Sequence, residues 1–202
     1  MQGKAEIRAL DPQSIWVIKK AFTTDEAKQL AESLGVVEEK GVANSGKGRP
    51  QWGRPPSPPP RSLLTLTTDG DIPAVVRQLS ERAVATAVHE GCPVVPAKWE
   101  AARAYGALFT LKGVLRRHLD NDKSWACILS AGCTVKFSAS TPALPTTSFL
   151  FECGDAIVFD ASPSAEVFHA VEGVERGTCP HVLSPLLETR RIGVVVRGRV
   201  EQ

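Results

Sequence analysis

The stretch GVLRRHLD, residues 113–120, ends an apolar, strand-like run on a His-x-Asp pattern formed by His118 and Asp120. A second strand-like stretch, DAIVFDASPSAEVFHAV at residues 155–171, carries His169 near its end. A His-x-Asp pattern by itself carries little information, because a histidine at a strand end before the polar turn DND is an ordinary surface feature. The second histidine makes a functional site more plausible, since a β-barrel or sandwich brings strand ends that are distant in sequence together at one end of the fold.

These three side chains have the donor chemistry of a metal site. Two imidazoles and one carboxylate on one face of a metal, with the other positions open, are the ligand set of non-haem Fe(II) oxygenases. His118, Asp120 and His169 therefore predict an iron site in an enzyme that uses O₂. His181, in the loop-like stretch GTCPHVLSP, is an alternative ligand if His169 points away.

The chain from residue 99 onward predicts a β-rich core. Short apolar runs follow one another, and Gly113, the DND turn, Gly132, the TPALP segment and Gly154-Asp155 interrupt them. About eight strands in this arrangement favour a β-sandwich or jelly roll, also called a double-stranded β-helix. We expect one domain over residues 1–202, with the jelly-roll core at 99–202.

Residues 1–98 are predicted to supply a strand, two helices and a Pro-rich loop. SIWVIKKAF alternates like a strand, and the following TTDEAKQLAESLG has helical spacing, a Thr23–Glu26 capping box and Gly35 as its stop. A longer helix is expected from near Asp71, with Pro73 in its first turn, to about Glu90. The fold class is therefore α+β, mainly β, with these helices packed on one face of the sheet.

Composition and charge exclude several function classes. A formal net charge of +2 gives no global field that would require a nucleic-acid or membrane partner. No apolar run approaches the length of a membrane span, and MQGKAEIRALDPQ at the start lacks the apolar core of a signal peptide. The five cysteines form no Cys-x-x-Cys pair, which argues against a structural zinc site. We expect no membrane partner and a reducing intracellular compartment, cytoplasm or nucleus, or an organelle if a presequence has been removed.

The last strand-like run, RRIGVVVR at residues 190–197, carries two arginines that matter for ligand binding. Arg191 and Arg197 lie an even number of positions apart, so a regular strand places both on one face. A buried arginine without a partner is costly, and a bound dicarboxylate such as 2-oxoglutarate would remove that cost. The alternative is a solvated edge strand, with Arg190, Arg197 and Arg199 in solvent.

The segment NSGKGRPQWGRPPSPPPRS, residues 44–62, is predicted to have no regular secondary structure. One interpretation is a substrate-facing loop, in which Trp52 stacks on a nucleobase while Arg49 and Arg54 contact phosphates. Two others are that Trp52 fills the edge of the core, and that the segment is a mobile polyproline loop. RPPSPPPR, residues 54–61, is also of the type that SH3 or WW domains bind.

The order of these motifs resembles a known family. His118-x-Asp120, LFECGDAIVFD at residues 150–160, His169 and then Arg191-x₅-Arg197 are similar to the AlkB-type Fe(II)/2-oxoglutarate dioxygenases. The opening IWVIKKAFTTDEAKQLAESL also resembles the start of such chains. The resemblance covers most of the chain, least at GKGRPQWGRPPSPPP, and the motif spacing is most similar to the divergent mitochondrial branch of the family.

The resemblance implies roles for individual residues. His118, Asp120 and His169 would bind Fe(II), and Arg191 would bind the distal carboxylate of the cosubstrate 2-oxoglutarate. Arg197 would lie near the metal-proximal end of the cosubstrate or the substrate. It also implies oxidation of a substrate C–H bond by O₂, with oxidative demethylation of an N-alkylated nucleobase in DNA or RNA as the expected reaction.

Three positions depart from the bacterial members of that family. Ala107 and Phe109 replace the bacterial Asn-x-Tyr, and Gly193 replaces the asparagine two residues after Arg191. A tyrosine contact to the cosubstrate is therefore lost, and Tyr105 is the expected substitute. These departures leave open hydroxylation or demethylation of a protein side chain, and a jelly-roll binding module without catalysis.

Overall fold

The structure, a computed structural model, describes residues 6–35, 61–64, 72–92 and 99–199. Its helices are α1 (Thr24–Ser33), α2 (Ala74–His89) and the short α3 (Ser184–Leu187). Its strands are β1 (Glu6–Asp11), β2 (Ile15–Lys19), β3 (Arg61–Leu64), β4 (Ala101–Phe109), β5 (Leu115–His118), β6 (Trp125–Gly132), β7 (Val135–Ser140), β8 (Thr147–Phe151), β9 (Ala156–Asp160), β10 (Phe168–Val174) and β11 (Arg191–Gly198).

The strands form two antiparallel sheets. The larger sheet has the order β1-β2-β9-β6-β11-β4-β3, and the smaller has the order β5-β10-β7-β8. The apolar core between them draws on both sheets, with Ile128 and Phe159 from the larger and Phe137 and Val171 from the smaller. Two facing antiparallel sheets of this kind form the jelly roll that the sequence predicts, so the α+β, mainly β fold class is confirmed.

The helices α1 and α2 cover the other face of the larger sheet. Leu30 and Leu79, one from each helix, are buried in a second apolar cluster with Val194 and Val196 of β11. The side chains of β11 therefore alternate between the helices and the core between the sheets. This alternation places Arg191 and Arg197 on the face that points into the jelly roll.

Most of the predicted elements are present. The capping box is formed, with Thr23 Oγ1 accepting from Glu26 N at 3.1 Å and Glu26 Oε2 accepting from Thr23 N at 2.8 Å. Helix α2 begins later than the expected Asp71, because Pro73 has an extended ψ of 137° and precedes the first helical residue. No disulfide joins the cysteines of the described residues; Cys127 and Cys133 are buried.

Two strands at the edges of the larger sheet were not predicted. Among the described strands β1 pairs only with β2, and β3 pairs with β4 through Arg61↔Phe109 to Leu64↔Gly106. The expectation that residues 44–62 lack regular structure is wrong for Arg61 and Ser62, because pairing with β4 makes them extended. Residues 36–60, including Arg49, Trp52 and Arg54, lie outside the described part of the chain.

Where the chain is described, no helix has the length and apolar character that crossing a bilayer requires.

Gly154, in the turn between β8 and β9, should tolerate substitution poorly. Its φ is +89°, and a Cβ there would lie 2.5 Å from the carbonyl oxygen of Phe22. We expect Gly154→Ala to lower the free energy of unfolding by about 3 kcal/mol, from left-handed strain plus a forced backbone shift. Gly177→Ala is the control, since φ is +74° with open space around it, and should cost only ~1–2 kcal/mol. Urea denaturation of both variants measures the difference; equal losses would contradict the close approach.

Candidate metal centre

The pairing of β5 with β10 brings the two predicted histidine ligands together. His118 and His169 are directly opposite each other in the antiparallel register. Their ring centroids are 4.3 Å apart, with an angle of 55° between the ring planes. His169 is buried between the rings of Phe137 and Phe159, at centroid distances of 5.9 and 5.1 Å. The strand register therefore determines how these two imidazoles meet.

Asp120, just beyond the end of β5, completes the cluster. Its Oδ1 lies 3.7 Å from His118 Nε2, and its Oδ2 lies 3.8 Å from His169 Nε2. One donor atom from each of the three residues falls within 4.8 Å of the others, and this is the only such group of three in the described ranges. The structure thus brings together the three residues that the sequence predicts.

Backbone carbonyls orient both imidazoles. His118 Nδ1 lies 2.9 Å from the carbonyl oxygen of Arg116, and His169 Nδ1 lies 3.4 Å from that of Val167. A carbonyl oxygen only accepts, so the hydrogen is on Nδ1 in each ring and the lone pair is on Nε2. In both residues Nε2 is the atom that faces Asp120, and an imidazole held in this tautomer is ready to bind a metal.

Burial keeps His169 in its neutral form. Desolvation, together with the nearby His118 and Arg197, lowers the pKa of His169 to about 4, although the charge of Asp120 acts in the opposite direction. A metal ligand must be a neutral imidazole, so this environment favours coordination over protonation. Two nitrogen donors and one carboxylate oxygen match the facial set of non-haem iron, and the residues present therefore fit Fe(II).

A cavity with a volume of about 270 Å³ opens beside these three residues. It lies between the two sheets and combines apolar walls with a few polar groups. Its lining consists of Tyr105, Ala107, Phe109, Leu115, His118, Asp120, Ile128, Phe137, His169, Val171, Arg191, Gly193 and Val195. The volume suits a small organic ligand bound next to a metal.

Arg191 places a buried cation in the wall of this cavity. The residue is 1% exposed, and its guanidinium carbon lies 5.4 and 5.3 Å from the ring centroids of Phe109 and Phe151. Its Nε donates to Ser130 Oγ at 3.4 Å, whereas its Nη2 has no hydrogen-bond partner. Burial lowers the pKa of Arg191 to about 9. An anion that entered the cavity would satisfy this nitrogen and offset the cost of desolvation.

Gly193 makes room for that guanidinium. A Cβ on Gly193 would lie 2.6 Å from Arg191 Nη1 and 3.0 Å from its Cζ. Relative to the bacterial AlkB-type pattern, Gly193 stands in place of an asparagine, so an amide contact is lost. The structure adds a packing reason, since a larger residue would occupy the space of the Arg191 side chain.

Arg197 lies next to the metal cluster. Its Nη2 is 2.6 Å from Asp120 Oδ2 and donates to Tyr105 Oη at 3.2 Å. The phenol of Tyr105 is 38% exposed and lies on the lining of the cavity. Both arginines of β11 are buried on the inner face, so the alternative of a solvated edge strand is wrong.

Other residues of the site were missed or misplaced by sequence analysis. Ser130 was not singled out, although it lies opposite Gly193 on the neighbouring strand β6. Asp122 was assigned to a polar turn, yet it contacts Arg197; its spacing of two from Asp120 was the available signal. His181 is exposed in a 3₁₀ turn and is not part of the cluster, so the structure does not support it as the alternative ligand.

No protein-family model matches the chain, and no curated protein sequence matches it. Solved structures do match. A structure of OsALKBH1 is 17% identical, covers 92% of this chain and 98% of its own, and has a TM-score of 0.67. The viral collagen prolyl hydroxylase vCPH from Paramecium bursaria Chlorella virus-1, in complex with 2OG, is 14% identical, covers 96% and 100%, and has a TM-score of 0.59.

A third structure, a Pseudomonas putida prolyl-4-hydroxylase, is 13% identical, with 95% of both chains covered and a TM-score of 0.54. At these identities the likeness establishes the fold. The chain has the jelly-roll fold that these oxygenase structures share.

Metal binding tests the geometry of the cluster directly. We expect Asp120→Ala and His169→Ala each to abolish measurable Mn²⁺ binding, because each removes one of three ligands. Isothermal titration calorimetry with MnCl₂ is the measurement, and Mn²⁺ serves as an air-stable divalent probe that accepts the same nitrogen and oxygen donors. His181→Ala is the matched control and should bind like the unmodified protein. Undiminished binding by Asp120→Ala would place the metal elsewhere.

Proposed function

We propose that this protein is an Fe(II)- and 2-oxoglutarate-dependent dioxygenase. The observation that carries the proposal is a His118–Asp120–His169 cluster in the same cavity as the buried, incompletely paired guanidinium of Arg191. The first feature suits the metal and the second suits a carboxylate. A cosubstrate that binds to both must have one metal-chelating end and one anionic end, as 2-oxoglutarate has.

In this proposal His118, Asp120 and His169 hold the iron. When bound, the iron couples O₂ and the decarboxylation of 2-oxoglutarate, which yields succinate and CO₂, to oxidation of a substrate C–H bond. The Arg116 and Val167 carbonyls keep each Nδ1 protonated and each Nε2 free for coordination. The protein thereby supplies a preorganised ligand set.

Arg191 binds the distal carboxylate of 2-oxoglutarate. Its planar guanidinium is held between Phe109 and Phe151, with Ser130 fixing the Nε side and Nη2 left available. The surrounding rings exclude water, which strengthens the charge-assisted hydrogen bonds that a carboxylate would form. Tyr105 lines the cavity and accepts a hydrogen bond from Arg197, which in turn contacts Asp120 of the metal cluster.

The substrate we propose is an N-alkylated nucleobase in DNA or RNA, as for an AlkB-type demethylase. Oxidation of an N-methyl carbon would release it as formaldehyde. The likeness to OsALKBH1 over 98% of that chain supports this choice. Arg116 and Arg117 are exposed on the strand that carries His118, where they could contact phosphates. Arg49, Trp52 and Arg54 stay predicted substrate contacts.

A protein side chain is the second candidate substrate. The structures of the viral and the Pseudomonas putida prolyl hydroxylases each cover at least 95% of this chain. The tyrosine hydroxyl and the amide groups that the bacterial nucleic-acid demethylases carry are absent here, where Phe109, Ala107 and Gly193 stand in their places. These replacements lie in the cavity, so they bear on the ligand that it accepts.

Succinate release from 2-oxoglutarate tests the reaction class and the substrate together. We expect release with Fe(II) and a methylated oligonucleotide, and less release with methylated or proline-containing peptides. His118→Ala and Asp120→Ala should abolish turnover, while His181→Ala should not change it. Nucleic-acid turnover should weaken steeply with added salt, because phosphate contacts release counterions.

Two results would contradict the proposal. A chain that releases no succinate and shows no visible charge-transfer band with anaerobic Fe(II) and 2-oxoglutarate would be a binding module. Release that responds only to peptides would move the assignment to the second candidate substrate.

Arg191 and Gly193 provide a test of cosubstrate binding. We expect Arg191→Gln to weaken 2-oxoglutarate binding by about 10- to 150-fold, because a hydrogen bond to a charged group contributes roughly 1.5–3 kcal/mol. Gly193→Ala should weaken it in the same direction by displacing the guanidinium, without removing the charge. Quenching of tryptophan fluorescence by 2-oxoglutarate in the presence of Mn²⁺ measures both. Mn²⁺ affinity without 2-oxoglutarate is the control and should be unchanged; full 2-oxoglutarate affinity in Arg191→Gln would exclude its assigned role.

A further inference from the structure

Two arginines face each other across neighbouring strands close to the metal cluster. Arg197 on β11 and Arg103 on β4 are register partners in the antiparallel pair. Like charges directly opposite each other destabilise a sheet unless an anion lies between them. Arg103 is more than half exposed, whereas the side chain of Arg197 is 7% exposed and cannot turn into solvent. The pair therefore requires compensation at the buried end.

Asp122 supplies the anion. Its Oδ2 accepts from Arg103 Nη2 at 2.8 Å and lies 3.7 Å from Arg197 Nε. Its Oδ1 accepts from Lys123 N at 2.7 Å and from Ser124 Oγ at 3.1 Å. Both oxygens of this carboxylate are thus held, and its side chain is only 14% exposed. A group fixed in this way can position the guanidinium that it contacts.

Arg197 is shared between two carboxylates. Its Nε edge faces Asp122, and its Nη2 lies 2.6 Å from Oδ2 of Asp120, the oxygen that also faces His169. The charges alternate along the row Arg103, Asp122, Arg197 and Asp120, which runs from the surface to the metal cluster. We call these four residues the charge row.

We propose that Asp122 and Arg103 are positioning residues that set the metal affinity of the cluster through Arg197. The proposal rests on the proposed function, because it takes Asp120 to be a metal ligand. Asp122 attracts the Arg197 guanidinium toward β4 and so weakens the ion pair between Arg197 and Asp120. Without Asp122, the cation of Arg197 depends on Asp120 alone and competes with the metal for the same oxygen. Arg103 acts one step further out, since its ion pair keeps the Asp122 carboxylate in place.

The direct test is Mn²⁺ affinity of the full chain by isothermal titration calorimetry. We expect Asp122→Asn to raise the Kd for Mn²⁺ about tenfold, the lower end of the usual effect of residues that support metal ligands. Arg103→Gln should raise the Kd in the same direction, and Arg103→Lys should restore it in part because the positive charge is kept. The double variant should bind like Asp122→Asn alone, since both residues act through one row.

The control is Glu172→Gln on β10, the strand of His169. Glu172 forms a surface ion pair with Lys136 at 2.9 Å, so the variant removes one acid on the same strand outside the charge row. Its Kd for Mn²⁺ should not change. Thermal unfolding of each variant separates positioning from structure: a changed Kd with an unchanged melting temperature supports positioning. If Asp122→Asn lowers the melting temperature, the test relies instead on the Kd values for Mn²⁺ of Arg103→Gln and Arg103→Lys, because Arg103 is exposed and its substitution should leave the fold stable.

The outcomes distinguish this inference from the proposed function. If the unmodified protein binds no Mn²⁺, or if Asp120→Ala binds it fully, the metal site itself is wrong. If the unmodified protein binds Mn²⁺ through Asp120 and both Asp122→Asn and Arg103→Gln bind it equally well, the charge row has no positioning role. Additive effects in the double variant would also overturn the proposal, because they would mean independent actions.

Discussion

The antiparallel pairing of β5 with β10 is the constraint on which the candidate site depends. It sets His118 opposite His169, while Asp120 follows where β5 ends and the chain turns. A shift of the register by one residue would turn one imidazole to the opposite face of the sheet, because side chains alternate along a strand. β10 also pairs with β7 on its other side, so two sets of backbone hydrogen bonds hold His169 in place.

The interior of the jelly roll accepts charges that a purely structural core would avoid. Arg191 is buried beside two aromatic rings with one nitrogen unpaired, and Arg197 is buried between two carboxylates with Nη1 unpaired. Buried ions lose hydration, and their mutual attraction offsets the loss only with good partners. An anionic ligand would therefore stabilise the fold at the same place where it binds, since anything that binds only the folded state raises its stability.

The accuracy of sequence-based prediction followed the strength of the local signal. The periodicity and capping of α1, and the apolar runs from β4 to β11, indicated elements that the structure contains. β1 and β3 gave no such signal, because they lie at the edges of the larger sheet and depend on pairing with one neighbour. The role of Gly193 was only partly predictable: the missing amide is visible in the sequence, but the guanidinium above it is visible only in the structure.

The sequence by itself determined the chemistry available to this protein: two histidines and an aspartate at strand ends, and two arginines on one face of the last strand. Residue type and strand periodicity are local properties, so they can be read without a fold. Only the tertiary structure decided which of these groups meet. Strand register selected His169 over His181, and the packing of two sheets placed Arg191 in the same cavity as the cluster. The tertiary structure also brought Arg103 next to Asp122 and Arg197, because contacts between residues distant in sequence depend on how the strands pair.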